Sequence, residues 1–202
     1  MAPDPTCFLR GTHIMTDRGA RAIESLAIGD RVLSWKTGEY RPIRWIGRRT
    51  VRTDDLLTEE GRRVHLPVLI QRNAFAENAP SRDLYLSPAH GLLVKDYGIS
   101  VRHLINGTTV RQVDDIQTIE YFHIELDSHD GVYAENMVAE TYFESDNRHA
   151  YDNAGEYERL YPGDDPRVQE PCVRIDVPVT FVAGVRALLN KRAAQLAADA
   201  AV

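Results

Sequence analysis

Three groups in this sequence could act on a peptide bond. Cys7 stands in Cys7-Phe8-Leu9-Arg10-Gly11-Thr12-His13-Ile14, near the start of a chain of 202 residues. A lone cysteine is commonly a small buried hydrophobe. A thiol directly after a peptide bond can also attack the carbonyl on its own N-terminal side and turn the amide into a thioester. That attack needs a thiolate and a way for the amine to leave. Ser87-Pro88-Ala89-His90 offers the second requirement. A hydroxyl three residues before an imidazole can place both groups on one bond, the imidazole protonating the departing nitrogen and the hydroxyl holding or bending the peptide. By itself the pattern also describes a Ser-Pro turn. His123 is the third, lying on the polar phase of its segment if Phe122, Ile124 and Leu126 face the core. It is then either a second acid or base or an exposed strand position. His13, His65, His103, His129 and His149 show no His-x-x-x-His spacing, and there is no Cys-x-x-Cys, so no metal site and no cofactor are expected.

The elements that must position these groups read as short strands. Candidates from 7 to about 143 are Arg31–Trp35, Ile43–Gly47, Val64–Leu66, Leu84–Leu86, Gly91–Val94, Tyr121–Leu126 and Val132–Ala134. Each alternates apolar with polar residues, or is a brief apolar run, between Gly, Pro, Asp or Asn. Ile23–Leu26 and Val113–Ile116 could be single helical turns. No long amphipathic helix interrupts the region, which argues against a parallel sheet with crossover helices. From Glu144 to Glu170 there are eight acidic residues and three arginines, with Pro162 and Pro166, and an extended solvated segment is expected. From about 179 to 200, Phe181, Val185, Leu188, Leu189, Arg192 and Leu196 recur at helical spacing and predict one amphipathic helix docked on the β domain.

Composition narrows the function classes. The formal charge of −6 argues against a nucleic-acid binder. No apolar run approaches the roughly 18 residues of a membrane span. The first residues, MAPDPTCFLRG, lack a secretory signal, and the compartment stays unknown. Cys7 and Cys172 are the two cysteines, which excludes a disulfide framework; a bond between them would block chemistry at Cys7.

Cys7-Phe8-x-x-Gly11-Thr12-x-Ile14, Gly19 and Ile23-Glu24-x-Leu26-x-x-Gly29-Asp30-x-Val32-Leu33-Ser34 together resemble the opening of the Hint (Hedgehog/intein) domain. Leu86-Ser87-Pro88-Ala89-His90 is similar to that family's Thr-x-x-His block. Phe122–Leu126 followed by Val132–Val138 is similar to the penultimate intein block, with His123 where Asp is usual. The wording around Arg44-Trp45-Ile46-Gly47 and Tyr121–His129 is most similar to the bacterial Hint subgroup of α-proteobacteria.

The resemblance implies an all-β, compact, horseshoe-shaped Hint fold with pseudo-two-fold symmetry over residues 7–145. Residues 1–6 would be a stub upstream of the scissile bond, and 146–202 an acidic segment and C-terminal helix. The implied chemistry is an N-to-S acyl shift at the Thr6–Cys7 bond. Cys7 would be the nucleophile, His90 helped by Ser87 would activate the amide, and His123 would assist proton transfer. Two departures limit it. Splicing inteins end in His-Asn, where this chain reads Val138-Ala139-Glu140-Thr141-Tyr142, so splicing is not expected. Hedgehog domains activate cholesterol with an Asp, and Gly47 falls near that position. The expectation is cleavage on the N-terminal side, an upstream protein segment in cis being the substrate and water, a thiol or an amine resolving the thioester. A larger bacterial protein would then carry this domain at its C-terminal end. Alternatives are a non-catalytic interaction module and a thioester-based transferase or ligase.

Overall fold

A computed structural model describes residues 6–144, 147–164 and 170–200. Most of the expected stub, residues 1–5, lies outside the described residues, as do 145–146 and 165–169 within the acidic segment.

The described strands are β1 Phe8–Leu9, β2 His13–Thr16, β3 Gly19–Ala22, β4 Arg31–Leu33, β5 Tyr40–Pro42, β6 Trp45–Arg52, β7 Val68–Ile70, β8 Leu84–Leu86, β9 Gly91–Val94, β10 Tyr97–Ser100, β11 Val110–Gln112, β12 Thr118–Glu125, β13 Gly131–Ala134 and β14 Met137–Glu140. They form a six-stranded sheet in the order β11-β7-β8-β1-β12-β6 and an eight-stranded sheet in the order β10-β9-β14-β13-β2-β4-β5, with β3 paired to β2. The described helices are α1 Glu59–His65, α2 Ala154–Leu160 and α3 Val179–Asp199. The mainly β architecture with a helix at its C-terminal end agrees with the expectation. No described helix is long and apolar enough to cross a membrane.

Apolar burial is split into two clusters. The larger gathers Phe8, Ile14, Val32, Leu86, Leu92, Ile124 and their neighbours, and receives Val185 and Leu189 from α3. The smaller surrounds Trp45 and holds Cys7, Tyr121, Tyr142, Tyr151 and Tyr157. β12 feeds both, because its residues from Tyr121 to Glu125 are buried on either face. His123 therefore does not lie on a solvent phase.

Four local expectations need correction. Val64–Leu66 is not a strand; Val64 and His65 end α1. The Thr58 hydroxyl accepts from the Gly61 amide at 3.0 Å, with Glu59 and Glu60 in the first turn and Arg62 and Arg63 in the last. That N-cap and charge pattern outweighs a three-residue apolar run. Val113–Ile116 forms no helical turn, whereas Ile23–Ser25 does, as a 3-10 turn. Leu188, expected in the buried stripe of α3, is 68% exposed, because Val185 and Leu189 define an i, i+4 face that it leaves. Nor is the acidic stretch simply extended and solvated: it contains α2, a 3-10 turn at Arg148–Ala150, and buried Tyr151 and Tyr157.

The asymmetry of α3 is testable. Leu189→Ala should lower stability by about 2–5 kcal/mol and Leu188→Ala by less than about 0.5 kcal/mol, read from chemical denaturation midpoints.

Candidate active site

The site is built by the shortest strand. β1 inserts between β8 and β12, with Phe8 opposite Leu86 on one side and Phe122 on the other. Antiparallel register carried one residue back sets Cys7 beside Ser87 and His123. The Ser87 amide donates to the Cys7 carbonyl at 2.9 Å, and the Cys7 amide donates to Ser87 Oγ at 2.8 Å. The turn after β8 closes through the His90 amide to the Ser87 carbonyl at 3.0 Å, which carries the imidazole back over Phe8, ring centroids 4.4 Å apart. His90 and His123 approach edge to face at 5.0 Å. Thr6, the residue before the candidate scissile bond, touches His123 Nε2 through its hydroxyl at 2.8 Å. Cys7, Ser87, His90, His123 and Thr6 thus come together, from three neighbouring strands and their ends. Cys172 stands apart, its amide bonded to His129 Nδ1 at 3.0 Å, and both thiols are free.

This assembly is buried, and its thiol and imidazoles rest uncharged. Burial pushes the Cys7 thiol up to about 12, against smaller opposing effects of the Tyr151 hydroxyl and Arg49. Burial likewise pulls His90 down to about 4, more strongly than the Cys7 and Glu140 carbonyls raise it. His123 is held well below its ordinary 6.5 by burial and by the neighbouring His90 and His129. His90 Nε2 lies 3.1 Å from the Glu140 carbonyl, which can only accept, so Nε2 carries the proton. His90 Nδ1 makes no well-formed hydrogen bond, although the Cys7 carbonyl lies near the ring.

One residue at the site was not foreseen. The Tyr151 hydroxyl donates to the Thr6 carbonyl oxygen at 3.0 Å and lies 4.0 Å from Cys7 Sγ. Its segment runs against β6, the outer strand of the six-stranded sheet. The Asp152 amide donates to the Arg48 carbonyl at 2.8 Å, and Asp152 and Asn153 side chains accept from the Thr50 and Arg48 amides at 2.8 and 2.7 Å. Arg148 locks the segment: its guanidinium donates to Glu125 at 2.6 Å and Glu144 at 2.8 Å, and stacks on Tyr157 at 3.5 Å. The ring of Tyr151 lies against Gly47, which faces His123 in register. A Cβ on Gly47 would come within 2.6 Å of that ring. An available signal was the aromatic density of the acidic stretch: three of the chain's nine tyrosines fall in it, at 151, 157 and 161, and a fourth, Tyr142, just before it.

The Hint domain family profile matches residues 6–146, from Thr6 to just past β14. The chain belongs to the Hint domain family. Solved structures similar to this Hint domain include a DnaB intein from Synechocystis (TM-score 0.47, 9% identity, 69% of this chain and 100% of that one). A bacterial intein-like domain from Clostridium thermocellum gives TM-score 0.46, 16% identity and coverage of 67% and 98%. The gp41-1 intein gives TM-score 0.45, 14% identity and the same coverage of each chain, 67% and 98%. A comparison with curated proteins finds no match.

The buried neutral groups make stability depend on pH. Between 6.5 and about 4 the unfolded chain takes up protons that folded His90 and His129 refuse, and His123 acts in the same direction. Glu140, pushed by burial from 4.5 to about 7, acts oppositely, as does Glu125, also raised by burial. Three imidazoles outweigh two carboxyls, so the Hint domain should gain stability as pH rises from about 5 to 6.5. Above 9 the unfolded chain loses the Cys7 proton that the folded chain keeps, and stability should fall. Urea midpoints measured from pH 4.5 to 10 check both limbs.

Proposed function

We propose that this Hint domain cuts the Thr6–Cys7 peptide bond through a thioester on Cys7, without splicing. The observation that carries the reading is the grip on that one peptide unit. Its N–H is held by Ser87 Oγ at 2.8 Å and its carbonyl by Tyr151 at 3.0 Å, with the thiol of Cys7 buried alongside. Holding both ends of an amide beside its own nucleophile turns a two-body encounter into a local one.

The steps follow from the protonation states. His90 Nδ1, neutral and without a well-formed hydrogen bond, takes the proton from Cys7 Sγ. The sulfur attacks the Thr6 carbonyl carbon, forming C–S. The imidazolium then gives its proton to the Cys7 nitrogen and the C–N bond breaks. The products are a Thr6–Cys7 thioester and a free Cys7 amine, with the proton count unchanged. His123, bonded to the Thr6 hydroxyl, orients that residue and is placed to assist proton transfer. Water, a thiol or an amine then resolves the thioester and releases the upstream segment. Where splicing inteins carry the cyclising Asn, this chain reads Val138-Ala139-Glu140-Thr141-Tyr142. Glu140 accepts from the Gly91 amide and Thr141 from the Asp130 amide, both structural engagements. At Gly47 no carboxylate is available for a sterol. A thiol held at about 12 makes the reaction slow unless an external thiol or amine drains the thioester.

A silent Hint fold is the second reading, favoured by the same raised thiol, which leaves very little thiolate at neutral pH.

Intact mass of the 202-residue chain after incubation separates them. Cleavage predicts loss of residues 1–6, accelerated by hydroxylamine or thiol, with 7–202 in one piece. Cys7→Ala should abolish it, and His90→Ala should slow it by about 10²–10⁴-fold while circular dichroism stays unchanged. No mass change under any condition establishes the silent reading; a fragment ending near Thr141 restores splicing-type chemistry.

A further inference from the structure

Attack on the Thr6 carbonyl places a negative charge on its oxygen, beside the buried side chains of Cys7, His123 and Tyr151. Removing such charge stabilisation is among the costliest single losses an acyl-transfer site can suffer. Among the described residues the hydrogen-bond donor to that oxygen is Tyr151, which lies beyond the matched Hint region ending at residue 146.

We infer that the Tyr151 hydroxyl is the oxyanion donor of this Hint domain, supplied by the segment after the β domain and held in place by Arg148 and Asn153. The inference rests on the proposed cleavage at Thr6–Cys7. The 3.0 Å hydrogen bond to the neutral carbonyl is already formed, and it strengthens as the oxygen becomes charged, because a charge-assisted bond in a buried site is worth more than a neutral one. The phenol keeps its proton throughout, burial and the adjacent Cys7 raising it well above 10. No atom is transferred: the donor holds the oxyanion while C–S forms and C–N breaks, and the charge returns to the departing nitrogen as that nitrogen takes the His90 proton.

The position is built for a hydroxyl rather than filled by chance. The Tyr151 ring packs edge-on to Trp45 with centroids 5.4 Å apart, and lies where a Gly47 Cβ would be. Asn153 Nδ2 donates to the Ile46 carbonyl at 2.9 Å and the Asp152 amide to the Arg48 carbonyl at 2.8 Å, so the backbone on either side of Gly47 carries the segment. Arg148, half-buried and paired with Glu125 and Glu144, fixes the approach from the other end.

The test compares the whole chain with Cys7→Ala, Tyr151→Phe and 3-fluorotyrosine at 151, following loss of residues 1–6 in hydroxylamine by mass. Tyr151→Phe keeps the ring and should slow release by about 10²–10³-fold. 3-Fluorotyrosine, nearly the same shape and a stronger donor, should speed it. In the non-cleaving Cys7→Ala chain, the Thr6 ¹³C carbonyl signal should move upfield when Tyr151→Phe is added. A slowing of less than tenfold, a rate indifferent to fluorination, or an unmoved carbonyl signal overturns the donor assignment while leaving cleavage intact. Release at the wild-type rate from Cys7→Ala would instead overturn the proposed cleavage itself.

Discussion

Everything at this site depends on two residues of β1 being paired on both sides. A two-residue strand at a sheet edge would wander; between β8 and β12 its amide and carbonyl groups are committed in both directions. Moving Phe8 by one position would break bonds in two neighbouring strands and leave their polar groups buried without partners. Cys7 inherits this constraint. Its amide and carbonyl both bond Ser87, and its side chain has no solvent-facing alternative. The burial that fixes the thiol also disarms it, as the rise to about 12 shows. The site is therefore strong in placement and weak in charge.

A second constraint acts through Arg148. A half-buried guanidinium between two carboxylates contributes little net stability, since desolvation offsets most of the attraction, yet loss of either side would strand the other. Its value here is positional. Arg148 spans Glu125, at the end of β12, and Glu144, and lies over Tyr157 and Tyr142 at 3.5 and 4.5 Å. The strand that carries His123 and the segment that carries Tyr151 are thus tied by one side chain. Asp152 and Asn153 add to this by satisfying the open edge of β6, which would otherwise present unpaired amides to a neighbouring chain.

Much of the β domain was legible because short alternating runs between turn residues have one inexpensive solution, pairing with burial of one face. Cys7, the Ser87–His90 turn and His123 could be named because nucleophile, acid and hydroxyl are distinctive residue types. Their mutual approach was not derivable from spacing, since it depends on which strands become neighbours. His123 was misjudged as a possible surface residue because β12 is buried on both faces, a case that alternation alone does not reveal. The stretch after 144 was misread because its acidic count hid its tyrosines; net charge describes solubility, whereas aromatic area decides docking. Helix α1 was missed for a related reason, its cap and charges lying outside the short apolar run that suggested a strand.

The 144 positions between Cys7 and Tyr151 set an order of events. A chain made from its N-terminal end presents the Thr6–Cys7 bond early and the Tyr151 hydroxyl late. Until residues 148–153 have emerged and settled on β6, the Thr6 carbonyl oxygen lacks the Tyr151 hydrogen bond. Under the proposed cleavage, the Thr6–Cys7 bond would be cut only after synthesis has gone past the β domain, and the edge-capping loop would time the event.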